Sequence, residues 1–175
     1  MNKNWWWAIG GLTFLIGGTM TALHVNNIID ILPKSNRKHY GKRKLSQIKY
    51  LVVHHSAIDG YGPFDYAKWH LKRGWPGIGY HFVISADGKV SQTNELDTIS
   101  YHVKNHNTAS IGISLSGNLS KHQATKAQMD ALVKLIKRLK KQLGPNVMVK
   151  GHRELQATEC PGKLMDMDKI RLLTN

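Results

Sequence analysis

Residues 48–56 read IKYLVVHHS, a short run of aliphatic and β-branched side chains that ends in two histidines and a serine. A run this brief and this apolar predicts a strand buried on at least one face. Outward from it the same pattern recurs. Residues 80–93, YHFVISADGKVSQT, read as two strands joined by a turn at Asp87-Gly88. Residues 110–117, SIGISLSG, form another apolar strand, with a glycine where backbones can approach closely. Thr125 to Leu143 is the clearest helix. Thr125 and Gln128 make a capping box, Leu132, Leu135, Ile136, Leu139 and Leu143 share one face, and Gly144-Pro145 stops it. A short strand, VMVK, then leads into GHRE at 151–154. Strands interleaved with helices predict an α/β domain over 47–175, with a central mixed sheet flanked by helices.

Toward the N-terminus, Trp5 to Leu23 read WWWAIGGLTFLIGGTMTAL, nineteen uncharged residues. At about 1.5 Å per residue they span roughly 28 Å, close to a hydrocarbon core of about 30 Å, and three tryptophans at one end suit an interface. A transmembrane anchor or signal-anchor over 1–24 is the expectation, with a cleaved signal peptide as the alternative. Residues 25–46 are expected to be a basic linker. Its part 33–46, PKSNRKHYGKRKLS, rests on anionic headgroups or is a plain solvated spacer. The basic residues after the span oppose export under the positive-inside rule.

The chain has 175 residues, enough for one domain plus an appendage. Its formal charge is +14 and the basic excess is spread along the whole length. Such a surface favours polyanions, whether nucleic acid, anionic lipid or envelope polymers. No helix-turn-helix, zinc-finger or RNA-binding sheet motif is present, so no specific nucleic-acid partner is expected. Cys160 is the single cysteine, which excludes an intramolecular disulfide.

His54 ends the first strand, His152 follows the last, and Cys160 lies eight residues further on, in HRELQATECPG. Side chains at neighbouring strand ends can converge, because strands lie about 4.8 Å apart. Two imidazoles and one thiolate leave a fourth tetrahedral position open, as a catalytic zinc requires. Spacing alone carries this weakly, since a histidine taken from ten is more often a surface or hydrogen-bonded core residue.

Four segments in order, VVHHSA, GWPGIGYHFVISADGKV, SIGISLSGNL and GHRELQATECPG, resemble the landmarks of the type 2 N-acetylmuramoyl-L-alanine amidase family, which includes phage amidase-type lysozymes and animal peptidoglycan recognition proteins. The resemblance runs from about residue 47 to 165. It implies Zn²⁺ held by His54, His152 and Cys160, with Tyr80 and Thr158 as catalytic residues. Relatives that bind without cutting lack the cysteine ligand. Thr158 stands where some phage enzymes have lysine, and QTNE at 92–95 lacks a Gly-Arg often seen there.

The implied reaction is hydrolysis of the amide between N-acetylmuramic acid and L-alanine in peptidoglycan, by a monomer tethered to a membrane and acting on the wall side. Tyr80 would donate to the oxyanion or help move a proton, and Thr158 would orient water or add a weaker hydrogen bond. His102, His70 and Trp69 are candidate substrate-binding residues. His55 and His81 alternate with their neighbours; His55 is read as structural or as a partner behind a metal ligand, and His81 as structural. Glu154 either bonds a ligand histidine or pairs locally. The alternatives are a binding module that recognises muropeptide without cutting, and a nucleic-acid-binding protein suggested by charge alone.

Overall fold

The computed structural model describes residues 22–175. Its elements in chain order are β1 (Val25–Asn27), β2 (Gly41–Lys42), β3 (Tyr50–His55), α1 (Pro63–Lys72), β4 (Phe82–Ile84), β5 (Val90–Gln92), β6 (Thr98–Ile99), β7 (Ser110–Leu115), α2 (Lys126–Leu143), β8 (Met148–Gly151) and α3 (Met167–Thr174). Six strands form one mixed sheet in the order β1-β5-β4-β7-β3-β8, and β2 pairs with β6 separately. β3 lies parallel to both β7 and β8, and β4 runs antiparallel to β5. The α/β class and central mixed sheet expected from the sequence are present.

Local chemistry explains the elements. Pro63 opens α1, where its missing N–H costs nothing, and Asp65 accepts the Gly62 N–H. Thr125 Oγ1 accepts the Gln128 N–H at 3.0 Å and Gln128 Oε1 accepts the Thr125 N–H at 3.1 Å, the capping box read from sequence. Between β4 and β5, Gly88 has φ +84°, a left-handed conformation that a side chain would strain.

Period-two alternation divides β3 between two layers. Leu51 and Val53 join Ile111, Ile113 and Leu115 of β7 beneath Leu132, Leu135, Ile136 and Leu139 of α2 and Ile170 of α3. This is the main core. Val52 and His54 point to the other face, in register with Gly112 and Ser114 of β7. There a smaller cluster of Leu32, Tyr66, Ala67, Ile78 and Val83 seats α1. The polar residues on this second face build the site.

The linker expected over 25–46 is instead part of the folded domain. β1 pairs parallel with β5 and covers what would otherwise be an open sheet edge. Leu32 is buried, and the Tyr40 hydroxyl donates to the Gly77 carbonyl at 2.8 Å. Arg43 is buried among backbone carbonyls. A polar, basic composition is compatible with packing when a few anchors reach inward along long side chains. The expected membrane-spanning stretch 5–23 lies outside the described residues except for its last two. Among the described residues no helix is long and apolar enough to cross a membrane.

Candidate metal centre and groove

His54 stands at the C-terminal end of β3. His152 follows β8 directly, in the 3-10 turn His152–Glu154. Because β8 and β3 are parallel neighbours, with Gly151 opposite Val53, the two rings meet with centroids 4.6 Å apart. Cys160 arrives on the following loop. The Arg153 N–H donates to the Cys160 carbonyl at 2.8 Å, and the Cys160 N–H donates to Thr158 Oγ1 at 3.2 Å. Cys160 Sγ then lies 3.6 Å from His54 Nδ1, across 106 residues of sequence. One donor atom from each of the three residues falls within 4.8 Å of the others.

The donors suit a borderline-soft divalent cation. His54 is almost wholly buried, and burial holds its pKa well below the ordinary imidazole value; burial also lowers that of His152. Neutral imidazole is the form that binds metal. His152 Nε2 lies 3.1 Å from Gln156 Oε1, an acceptor, so that nitrogen carries the proton and Nδ1 is left free. Burial pushes the Cys160 thiol up to about 11, against the lowering effects of the His55 N–H and of Arg153. Without a cation this sulfur is a thiol at neutral pH. Two nitrogens, one sulfur and an open groove side match a three-ligand zinc site.

Around the donors runs a groove of about 830 Å³. Tyr80 lines it, with its ring 5.3 Å from that of His54. Burial raises its phenol above the ordinary range, and the neighbouring Cys160 adds to this, so the phenol stays protonated and able to donate. The buried Ser114 hydroxyl beside it partly offsets the rise, and that oxygen has no hydrogen-bond partner of good geometry. Thr158 is on the exposed rim. Its oxygen accepts from Cys160, which leaves its own proton to donate.

The other expected site residues divide. His70 lines the groove but is buried, accepts the Gly79 N–H at 3.0 Å and packs on Trp75 at 4.6 Å. Trp69 does not line the groove. It packs on Tyr61 and Tyr66 beside the small cluster. Successive helical residues point about 100° apart, so α1 turns His70 to the groove and Trp69 away from it. Trp75, just past the helix, supplies the tryptophan. His102 lines the groove but is largely buried, and its Nδ1 is 3.0 Å from His54 Nε2.

His55 Nδ1 accepts the Leu119 N–H, and His81 Nδ1 accepts that of Gly112, so each ring ties down the backbone of another segment. Glu154 accepts the Gly151 N–H, a local backbone contact, and pairs with Arg171 from α3 and not with Arg153. Arg73, Tyr101, Lys121 and Lys163 also line the groove. Sequence reasoning missed them, as it missed Ser114. The signal within reach was the register of β7 against β3, which places Ser114 opposite His54.

A family profile described as N-acetylmuramoyl-L-alanine amidase matches residues 44–163. An endolysin of Klebsiella phage KP32 is 32% identical over 126 residues, covering 67% of this chain and 83% of that protein. Peptidoglycan-recognition protein SC2 of Drosophila simulans is 33% identical over 128 residues, covering 67% and 70%. Among solved structures, the Ph2119 endolysin from the Thermus scotoductus MAT2119 bacteriophage Ph2119 superposes with a TM-score of 0.75 at 28% identity, covering 86% of this chain and 99% of that one. With the matched segment enclosing His54, Tyr80, His152 and Cys160, the chain belongs to the type 2 N-acetylmuramoyl-L-alanine amidase family.

Proposed function

We propose that this chain is a zinc-dependent hydrolase that cleaves the amide between N-acetylmuramic acid and L-alanine in peptidoglycan. The observation that carries the reading is the convergence of His54, His152 and Cys160 within 4.8 Å at the floor of a groove that also presents Tyr80. A zinc ion held there supplies a Lewis acid and lowers the pKa of water toward about 7.

The protein's own groups do the rest. The Tyr80 phenol, kept protonated by burial, donates to the oxygen that becomes negative as the amide carbon turns tetrahedral. The Thr158 hydroxyl, anchored through the Cys160 N–H, offers a second, uncharged hydrogen bond at the rim. Its contribution is smaller than that of a cationic side chain. Trp75, Tyr101 and His70 give the groove an aromatic wall, and Arg73, Lys121 and Lys163 give its rim a positive field suited to a carboxylate-bearing peptide.

Zinc content measured by mass spectrometry, in parallel with digestion of purified peptidoglycan, tests the proposal. Release of stem peptides with a free L-alanine amine, by a chain carrying one zinc, is the expected result. Zinc uptake without release identifies a binding module instead.

A further inference from the structure

We propose that His102 is a positioning residue of the metal centre: by accepting the His54 Nε2–H it presents the His54 Nδ1 lone pair to the ion. The inference rests on reading His54, His152 and Cys160 as metal ligands.

Proton positions follow from the hydrogen-bond partners. The Ser110 hydroxyl donates its one proton to the His106 carbonyl at 2.7 Å. Toward His102 Nε2, 3.2 Å away, Ser110 Oγ therefore presents a lone pair. The Ser110 carbonyl, also an acceptor, is 3.4 Å from the same nitrogen. With acceptors on that side, His102 Nε2 carries the proton. The other nitrogen of the neutral ring, Nδ1, is then an acceptor, 3.0 Å from His54 Nε2. His54 Nε2 must hold a hydrogen to complete the bond. His54 Nδ1, 3.6 Å from Cys160 Sγ, is left with its lone pair facing the other two donors. A chain of three residues, Ser110 to His102 to His54, thus fixes one tautomer and one ring orientation of a ligand.

The packing around His102 is built for this. A Cβ at Gly112 would stand 2.7–3.0 Å from three atoms of the His102 ring, a distance real contacts do not reach. The glycine read from sequence as a close backbone approach is in fact the floor under an imidazole. From the loop side, Asn107 Oδ1 accepts the N–H groups of His102 and Val103 at 2.9 and 2.8 Å. The ring is therefore held by its backbone, by the strand beneath it and by Ser110.

Two measurements on the full chain test the proposal. The first is zinc affinity by competition with a coloured chelator. His102→Leu removes the acceptor and is expected to weaken binding by about 10- to 100-fold, the usual effect of losing a hydrogen-bond partner of a ligand. His102→Asn places a carbonyl oxygen near the site of Nδ1 and is expected to recover most of the loss, which a purely space-filling role would not predict. The second needs no variant. Long-range ¹⁵N–¹H spectra of the zinc-free chain are expected to show both His54 and His102 protonated on Nε2. A proton on His54 Nδ1, or affinity within about twofold of the unchanged chain for His102→Leu, overturns the role of His102. Where the variants fail to fold, the spectra of the unchanged chain decide. Absence of zinc uptake by the unchanged chain overturns the metal reading beneath the proposal, an outcome distinct from the loss of His102 alone.

Discussion

Arg43 donates through Nη1 to the Ser110 carbonyl at 2.8 Å, joining the segment before the first long strand to the start of β7, 67 residues away. The same guanidinium also donates to the carbonyls of Leu96, Asn107 and Thr108. Only 7% of Arg43 is exposed, and burial lowers its pKa to about 10, still cationic at neutral pH. Arg43→Met leaves several buried carbonyls without donors and is expected to cost about 3 kcal/mol. Arg43→Lys should recover little, because an ammonium lacks the planar fork of five donors. Urea unfolding midpoints of the two variants check this, and a midpoint unchanged by methionine would show that the cation is dispensable.

Cys160→Ser replaces the sulfur proposed as a soft metal ligand by a hydroxyl. Peptidoglycan cleavage is expected to vanish and zinc retention after dialysis to fall by at least about 100-fold, beyond the effect of losing a ligand's hydrogen-bond partner. Unchanged hydrolysis would remove Cys160 from the site.

Tyr80→Phe removes a donor without touching the three metal donors. Zinc content should stay at that of the unchanged chain while turnover falls by about 100- to 1,000-fold, the effect of deleting one oxyanion donor. Metal analysis and muropeptide release on the same sample separate the two effects. Loss of zinc in this variant would contradict the role given to the phenol.

Asp59 and His122 clasp two loops, with His122 Nε2 2.7 Å from Asp59 Oδ1. The hydrogen bond that His122 donates to Asp59 raises the His122 pKa, while the Asn118 N–H and then His122 lower that of Asp59. Stabilisation from His122 is fully present below the ordinary value of 6.5 and is lost as pH rises through its raised value. The share from Asp59 is present above 3.8 and is lost as pH falls through its depressed value. The clasp is therefore strongest in mildly acidic solution. Titration of the His122 ring by NMR should show its pKa return toward 6.5 in Asp59→Asn. An identical value in both proteins would show that the pair does not form.

Much of the sheet and the long helix was legible because their signals are local. Short apolar runs mark β3 and β7, the Asp87-Gly88 turn joins β4 to β5, and Thr125, Gln128 and Gly144 mark the ends of α2. The rest needed relations between segments. Trp69 and Trp75 are equally aromatic in sequence; the rotation at which α1 docks through its Tyr66 and Ala67 on Leu32, Ile78 and Val83 turns Trp69 away, and Trp75, past the end of the helix, lines the groove. Residues 25–46 carry no periodicity, so their packing through β1, Leu32, Tyr40 and Arg43 left no pattern to read.

The order of residues was enough to show which donor types the protein owns and where they stand, two histidines at strand ends and its one cysteine in the segment after the last strand, chemistry that no change of packing alters. It took the folded chain to bring these three within 4.8 Å and to set His102 against His54. The physical reason is that side-chain identity and strand alternation are properties of neighbouring residues. A hydrogen bond between rings 48 residues apart depends on which strands pair, in what register, and on Gly112 leaving room for the second ring.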